Sequence, residues 1–336
     1  MEIVIIKLGA KGDIVRTLPI LLAIKEKYPE SKITWITKPE CLEIIKTSSY
    51  IDNFYTIPIK EENLEKIGHF DILYNFDIDK EAAELAIKIN ANKKLGFYRK
   101  DNYPFAFNFP AEYYLNTLFD DELKKTNKKT YQEMMFEAAE LPYKNQHHPV
   151  YLTDKDKDYA EAFITKNNIN KEKLIGIHLG ASSRWPSKVW HSDNLKEFIK
   201  KSIEKGYEIL LFGGPDEIEY HNKITRELEN QQIKIHRNNP QNTDKEFSSL
   251  VNQCAYFISG DSFALHISLS LKKPTIGLFF CTSPYEVEDY NLLKKLISPL
   301  LYNFFPEKSD QYSEELTKSI PADEVLQTIE NFAKDT

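Results

Sequence analysis

The stretch Glu2-Ile-Val-Ile-Ile-Lys7, followed by Leu8-Gly-Ala-Lys-Gly-Asp13, decides the fold class of this 336-residue chain. The first part is a run of apolar, mostly β-branched residues, which is typical of a buried strand. The second part is a glycine-containing turn, and an amphipathic helix follows it and ends at Tyr28-Pro29. A second strand is predicted at Lys32–Ile36. This β-α-β order predicts a parallel sheet with helices on both faces.

The same order continues through the first half of the chain and starts again at Leu174–Leu179. Between the halves, Lys144–Asp158 has the composition of a linker. Residues 98–130, aromatic and then charged, break the rhythm and predict an insertion beside a binding cleft. Two α/β units without a sequence repeat predict two Rossmann-like domains, at 1–150 and 151–320, with a final helix in 321–336.

Charge and composition exclude several classes of protein. The chain has 44 basic and 51 acidic side chains, for a formal net charge of −7 without charge blocks. Neither half is a basic surface, so we expect no nucleic-acid partner. Three scattered cysteines, no signal-peptide pattern and no apolar stretch near the ~18 residues needed to span a bilayer predict a cytoplasmic protein. We expect no stable protein partner.

Four loops that follow predicted strands could hold a ligand, because doubly wound sheets bind ligands at the carboxyl ends of their strands. In the first loop, Gly9–Asp13, the carboxylate of Asp13 could be a helix cap, the commoner role for such a residue, or a catalytic group. This loop lacks the G-x-G-x-x-G pattern, and Ile36-Thr-Lys38 lacks the acid that would bind an NAD ribose. A nicotinamide-dependent enzyme is therefore disfavoured, and no P-loop sequence occurs.

The other three loops carry groups suited to a nucleoside diphosphate. The second, His178–Trp190, combines hydroxyls with cations, as a phosphate requires, although an exposed polar loop would look similar. In the third, Gly213–Glu217, the acid Glu217 could accept hydrogen bonds from a ribose. The fourth, Ser259–His266, begins a helix whose N–H groups would face an anion, although its histidine could equally be a core residue. The candidate residues of these loops are Ser182, Ser183, Arg184, Lys188, Glu217, Asp261, Ser262 and His266.

Four segments resemble glycosyltransferase family 9, the ADP-heptose:lipopolysaccharide heptosyltransferases. Ile6–Pro19 is similar to the family's G-D-x-x-x-T-x-P opening, and Ile177–Trp190 is similar to its G-x-x-x-x-x-K-x-W loop. Phe257–His266 resembles the D-T-G-x-x-H helix, and Lys273–Pro284 resembles the K-P-x-x-x-L-F-G-x-T-x-P strand and loop. The resemblance extends from residue 3 to about residue 333.

This resemblance implies an α/β protein of GT-B architecture, with two Rossmann-like domains facing each other across a cleft. Domain 1–150 would bind the acceptor, domain 151–320 would bind the nucleotide-sugar donor, and the final helix would pack back on the N-terminal domain. It also implies an inverting transfer that needs no metal. The nucleotide-sugar is a substrate, so no cofactor is expected.

The resemblance also implies residue roles. Asp13 matches the general base, Lys188 matches the lysine on the diphosphate, and Glu217 matches a ribose-binding acid. The remaining donor-side matches, with Arg184 added for its charge, are Ser182, Ser183, Asp261, Ser262, His266 and Thr282. The basic residues that could bind an acidic acceptor, or simply form a solvated surface, are Lys11, Arg16, Arg99 and Lys100. The aromatic stretch Tyr98–Phe109 could stack on sugar rings or cover the core.

The chain departs from the family at two positions on the donor side. Phe263 replaces the glycine that follows the D-T pair, and Phe280–Pro284 lacks the glycine and acid of the G-x-T-D-P loop. We expect transfer of heptose from ADP-heptose to a lipopolysaccharide core or another surface glycan, at the inner face of the inner membrane. The alternatives are a different nucleotide-sugar donor, a GT-B epimerase, and a non-catalytic nucleotide- or glycan-binding protein whose donor site Phe263 blocks.

Overall fold

The chain folds into two compact units, each built around its own parallel sheet. The computed structural model describes residues 1–59, 67–178, 180 and 184–335, with the backbone alone at 333 and 335. The first unit is Met1–Tyr151 with Tyr285–Glu288, and the second is Leu152–Pro284 with Asp289–Thr336.

The described part of the first unit contains a six-stranded sheet in the order β3-β2-β1-β4-β5-β6. Its strands are β1 (Glu2–Ile6), β2 (Lys32–Thr37), β3 (Asn53–Thr56), β4 (Phe70–Asn75), β5 (Ala91–Lys100) and β6 (Tyr103–Ala106). All neighbours are parallel except β5 and β6, which form an antiparallel hairpin. The side chains of Ile3 to Ile6 are completely buried, because helices cover both faces of the central strand.

Seven described helices accompany this sheet. They are α1 (Lys11–Thr17), α2 (Ile20–Lys27), α3 (Leu42–Ile45), α4 (Lys80–Lys88), α5 (Phe109–Thr117), α6 (Asp121–Thr126) and α7 (Tyr131–Ala138). The predicted insertion at 98–130 thus consists of the end of the β5–β6 hairpin followed by α5 and α6.

The described part of the second unit contains a six-stranded parallel sheet in the order β12-β11-β10-β7-β8-β9. Its strands are β7 (Leu174–His178), β8 (Glu208–Phe212), β9 (His236–Arg237), β10 (Tyr256–Gly260), β11 (Thr275–Phe279) and β12 (Leu293–Ile297). Its described helices are α8 (Asp154–Asn167), α9 (Ser192–Glu204), α10 (Ile218–Glu229), α11 (Asp244–Gln253), α12 (Phe263–Ser270), α13 (Leu301–Phe304), α14 (Glu314–Lys318) and α15 (Ala322–Asp335). Short 3₁₀ turns occur at Pro39–Cys41, Lys171–Lys173, Pro186–Lys188 and Pro215–Glu217.

One expectation about this half needs correction. Helix α8 begins inside the predicted linker, because Thr153 and Asp156 form a capping box at its start. The final helix α15 is part of the second unit, and its packing on the N-terminal domain stays a prediction. The apolar side chains of α15, including Val325 and Ile329, are buried in the hydrophobic core of the second unit.

Both sheets have the doubly wound strand order, so the predicted α/β class with two Rossmann-like units is confirmed. In this order the chain reverses direction across the sheet between the first and fourth strands of each unit. The switch points lie between β1 and β4 in the first unit and between β7 and β10 in the second. Among the described residues, no helix is both long and apolar enough to cross a bilayer.

Candidate functional site

Lys188 lies at the switch point of the second unit. Its ammonium donates to the backbone oxygen of Asp261 at 2.8 Å and lies 3.2 Å from the carboxylate of the same residue. The two side chains are only 15% and 19% exposed. An ammonium has three N–H donors, and these two bonds fix its position while leaving capacity for an anion. The pair therefore places an oriented cation beside the end of β10.

Gly260 allows the Lys188 loop to approach the strand. A Cβ atom at this position would lie 2.6 Å from the backbone oxygen of Lys188, which is closer than real side chains come to a backbone oxygen. The loop is also held from its other side, where the buried hydroxyl of Ser187 donates to the backbone oxygen of Gln311 at 2.8 Å. These contacts preorganise the lysine.

His266 joins this pair from the first turn of α12. Its Nε2 is 3.7 Å from the Asp261 carboxylate, and the imidazole is 8% exposed. The structure thus brings together three residues that the sequence predicted to share a site. We call Lys188, Asp261 and His266 the Lys188 cluster.

Ser262, the residue before α12, connects the cluster to the end of β7. Its hydroxyl is 2.9 Å from that of Ser259 and 3.4 Å from Nδ1 of His178. Burial, and next the proximity of His221, lower the pKa of His178 to about 4. The imidazole is therefore neutral at physiological pH and orients the Ser262 hydroxyl without adding charge.

Glu217 lies beside the same strand end. Its carboxylate accepts the Gly214 N–H at 2.7 Å. A Cβ atom on Gly180 would lie 2.7 Å from a Glu217 carboxylate oxygen and 2.9 Å from the ring of His178. Glycine at position 180 therefore leaves space that a side chain would fill, between an acid and an imidazole.

The remaining donor-side candidates differ in their surroundings. Burial raises the pKa of the Cys281 thiol to about 11, and nearby Lys188 has an opposing effect on that pKa. The loop that carries Cys281 and half-buried Thr282 therefore lies near the Lys188 cluster. Exposed Arg184 has its guanidinium 4.9 Å from the ring centre of Trp185. Half-buried Phe263 stacks on Phe247 with ring centres 5.9 Å apart. The predicted donors Ser182 and Ser183 lie outside the described residues.

In the first unit, Asp13 is the third residue of α1, whereas Ala10 occupies the cap position without a side-chain bond. The cap alternative for Asp13 is therefore wrong. Arg16 binds its carboxylate through two nitrogens, at 3.0 Å from Nε and 2.8 Å from a terminal nitrogen. The Asp13 side chain is 34% exposed, so it is both oriented by Arg16 and accessible to solvent.

Tyr131 supports this arrangement from below. The guanidinium of Arg16 lies 3.7 Å above the ring centre of Tyr131, and the phenol oxygen of Tyr131 is 3.1 Å from the hydroxyl of Thr17. Thr17 in turn donates to the backbone oxygen of Asp13 at 2.6 Å. Arg16, predicted as an acceptor ligand, thus also fixes the proposed base.

A buried ion pair at the switch point of the first unit was missed by sequence reasoning. The ammonium of Lys7 lies 2.5 Å from the carboxylate of Asp77, which also accepts the Leu8 N–H at 2.5 Å. Burial by itself lowers the pKa of Lys7, but Asp77 reverses this effect and holds that pKa well above its ordinary value. The pair joins the end of β1 to the end of β4. The sequence signal that could have indicated this ion pair was a lysine directly after an apolar strand.

The other acceptor candidates lie around α1 and the hairpin. Lys11 is the first residue of α1, and Lys100 is the exposed last residue of β5. Arg99 donates to the backbone oxygens of Ile78 and Asn102, which indicates a structural role in the hairpin. The aromatic stretch is divided: Tyr98 stacks within the hairpin on two phenylalanines, whereas Tyr103 is 71% exposed.

Two doubly wound units, with polar clusters at both switch points, define the class of protein as an α/β protein of the GT-B fold. Over its full length the chain superposes on a family 9 glycosyl transferase from Veillonella parvula (TM-score 0.77, 18% identity, 97% of that chain covered). It also matches the Escherichia coli ADP-heptose lps heptosyltransferase II (TM-score 0.73, 18% identity, complete coverage of both chains).

Sequence comparison then gives the family. The profile of glycosyltransferase family 9 (heptosyltransferase) matches residues 66–317. The chain is 26% identical over 312 residues to lipooligosaccharide heptosyltransferase 2 of Haemophilus ducreyi, covering 84% of each protein. The chain therefore belongs to glycosyltransferase family 9, and it is a glycosyltransferase.

Proposed function

We propose that the chain transfers heptose from ADP-heptose to a lipopolysaccharide-type acceptor, with inversion and without a metal ion. The observation that carries the donor side is the Lys188 cluster at the switch point of the second unit. Heptose and lipopolysaccharide are proposed from the activities that the relatives' names state.

In the proposed reaction, the leaving group is a nucleoside diphosphate, whose negative charge grows as the bond to the anomeric carbon breaks. Lys188 supplies a preorganised cation for that charge, and the first N–H groups of α12 add a favourable dipole. Ser262 adds a hydroxyl donor, and Glu217 accepts hydrogen bonds from the ribose.

On the acceptor side, Asp13 takes the proton of the attacking hydroxyl as the new C–O bond forms on the face opposite the leaving group. Its contact with Arg16 keeps the carboxylate oriented. We propose that Lys11, Arg16 and Lys100 contribute positive charge toward phosphates of a glycolipid acceptor.

The base assignment is tested with Asp13→Asn, which keeps the shape of the side chain and removes its basicity. Transfer from ADP-heptose to a heptose-acceptor glycolipid should fall at least ~100-fold, which is the usual contribution of general-base catalysis. Thermal stabilisation by ADP should not change. Asp79→Asn, an exposed neighbour of α4, is the control. Near-normal transfer by Asp13→Asn would rule out Asp13 as the base.

The donor assignment is tested with Lys188→Gln against Lys201→Gln, whose ammonium forms surface ion pairs with Glu197 and Asp323. Lys188→Gln should lose the ADP-induced increase in Tm, whereas the control should keep it. If both variants respond to ADP like the wild type, the diphosphate does not bind Lys188. Loss of transfer in the presence of a chelator would contradict the metal-independent mechanism.

A further inference from the structure

The second unit contains a pocket of about 320 Å³ whose described lining residues share only Glu217 with the proposed reaction. It opens beside the ends of β7 and β8, between the Lys188 loop, the start of α10 and the segment before α14. Its principal lining residues are Trp190, His191, Asp216, Glu217, Tyr220 and Tyr312. The volume is at the lower end of the range for small-molecule sites.

The pocket is built before any ligand arrives. The buried hydroxyl of Ser187 donates to the backbone oxygen of Gln311 at 2.8 Å and accepts the Ser313 N–H at 2.9 Å. These two bonds flank Tyr312 and fix its backbone, although its side chain is 61% exposed. The His191 N–H donates to the backbone oxygen of Thr317 at 3.2 Å, which ties the opposite wall to the same segment.

The lining combines aromatic rings with hydrogen-bonding groups. Buried Trp190 lines the pocket, and its indole donates to the backbone oxygen of Ile320 at 2.9 Å. Burial, and next the proximity of Tyr312, raise the pKa of Tyr220 to about 12, so its phenol remains a neutral donor. Asp216 and Glu217 supply carboxylates that accept hydrogen bonds.

The charge of the lining distinguishes this pocket from the Lys188 cluster. Among the described residues that line it, there are two carboxylates and neither lysine nor arginine. A phosphate would meet repulsion there without a compensating cation. A polyol fits, because its hydroxyls donate to carboxylates while its apolar ring face packs on aromatic side chains.

We propose that this pocket binds an uncharged sugar ring through the aromatic rings of Tyr220 and Tyr312 and the carboxylate of Asp216, while Glu217 stays with the ribose. This site lies beyond the proposed roles of Asp13 and Lys188, because neither residue lines it. The ring could belong to the sugar of the donor or to a sugar unit of a glycan, and both present the same chemistry to the pocket.

The experiment is saturation-transfer NMR of the full chain with free mannose, glucose and glucose 6-phosphate at equal millimolar concentrations. The test variant is Tyr312→Ala, whose exposed side chain can be removed without disturbing the core. The control is Tyr302→Ala, a residue that is 50% exposed on α13 and does not line the pocket. Loss of one aromatic contact should weaken binding about two- to tenfold.

We expect a signal from at least one neutral sugar, weakened in Tyr312→Ala, unchanged in Tyr302→Ala, and absent for glucose 6-phosphate. Competition by ADP-heptose but not by ADP identifies the ring as the donor sugar, whereas insensitivity to both identifies a glycan unit. No neutral-sugar signal, equal signals from the two tyrosine variants, or stronger binding of the phosphate would overturn the proposal. ADP-induced stabilisation, measured on the same samples, reports separately on the proposed donor site.

Discussion

Replacing Asp77 by asparagine tests how much the stability of the first unit depends on its buried ion pair. The side chains of Lys7 and Asp77 are 4% and 8% exposed. Removing one partner of a buried pair costs ~3–5 kcal/mol, because the remaining charge stays in a poorly solvated site. Asparagine preserves the shape and keeps an oxygen for the Leu8 N–H. The free energy of unfolding of the first unit should therefore fall by ~3–5 kcal/mol.

The assay follows each unit separately by fluorine NMR of 5-fluorotryptophan-labelled protein during urea unfolding. The chain has three tryptophans, of which Trp35 is buried in the first unit and donates to the backbone oxygen of Lys7 at 3.4 Å. Trp185 and Trp190 lie in the second unit. The Trp35 resonance therefore reports the unfolding of the unit that contains the mutation.

Two further variants make the result decisive. Asp79→Asn changes an exposed carboxylate two residues away and should alter the unfolding free energy by less than ~0.5 kcal/mol. The double variant Lys7→Met with Asp77→Leu removes both charges, so the loss should shrink to the ~1–3 kcal/mol expected for the unpaired Leu8 N–H. An Asp77→Asn effect no larger than that of the control would refute the electrostatic argument.

Two other predictions concern the second unit. Because His178 has a pKa of about 4 when folded and ~6.5 when unfolded, the unfolded state binds more protons between these values. The protonation of His178 on unfolding therefore makes the free energy of unfolding fall by ~2 kcal/mol between neutral pH and pH ~5. The variant His178→Gln should lack this part of the fall, as measured by urea midpoints that are followed by the Trp190 resonance. An identical pH dependence in the variant would contradict this. Gly260→Ala should displace the Lys188 backbone, since the added Cβ would lie 2.6 Å from its oxygen. Its ADP-induced increase in Tm should shrink, and full retention of that increase would show that the loop tolerates the displacement.

Local sequence patterns predicted most of the elements but not the edges of the sheets. Buried central strands such as β1 are continuous apolar runs, which can be recognised from a few consecutive residues of the sequence. Strands β3 and β12 were missed, because edge strands are partly exposed and carry polar residues. The hairpin of β5 and β6 lay in a stretch whose aromatic residues gave no clear period.

The sequence by itself determined the α/β class, the two units, the family resemblance and the loops in which the Lys188 cluster lies. These follow from periodicity and short motifs, which are local properties of the chain. Only the tertiary structure decided that Lys188 bonds Asp261, 73 residues away, and that Lys7 pairs with Asp77, 70 residues away. It also decided that the final helix completes the core of the second unit. Such pairings depend on strand order and side-chain packing, which bring distant residues together through the energy of the whole fold and leave no local period in the sequence.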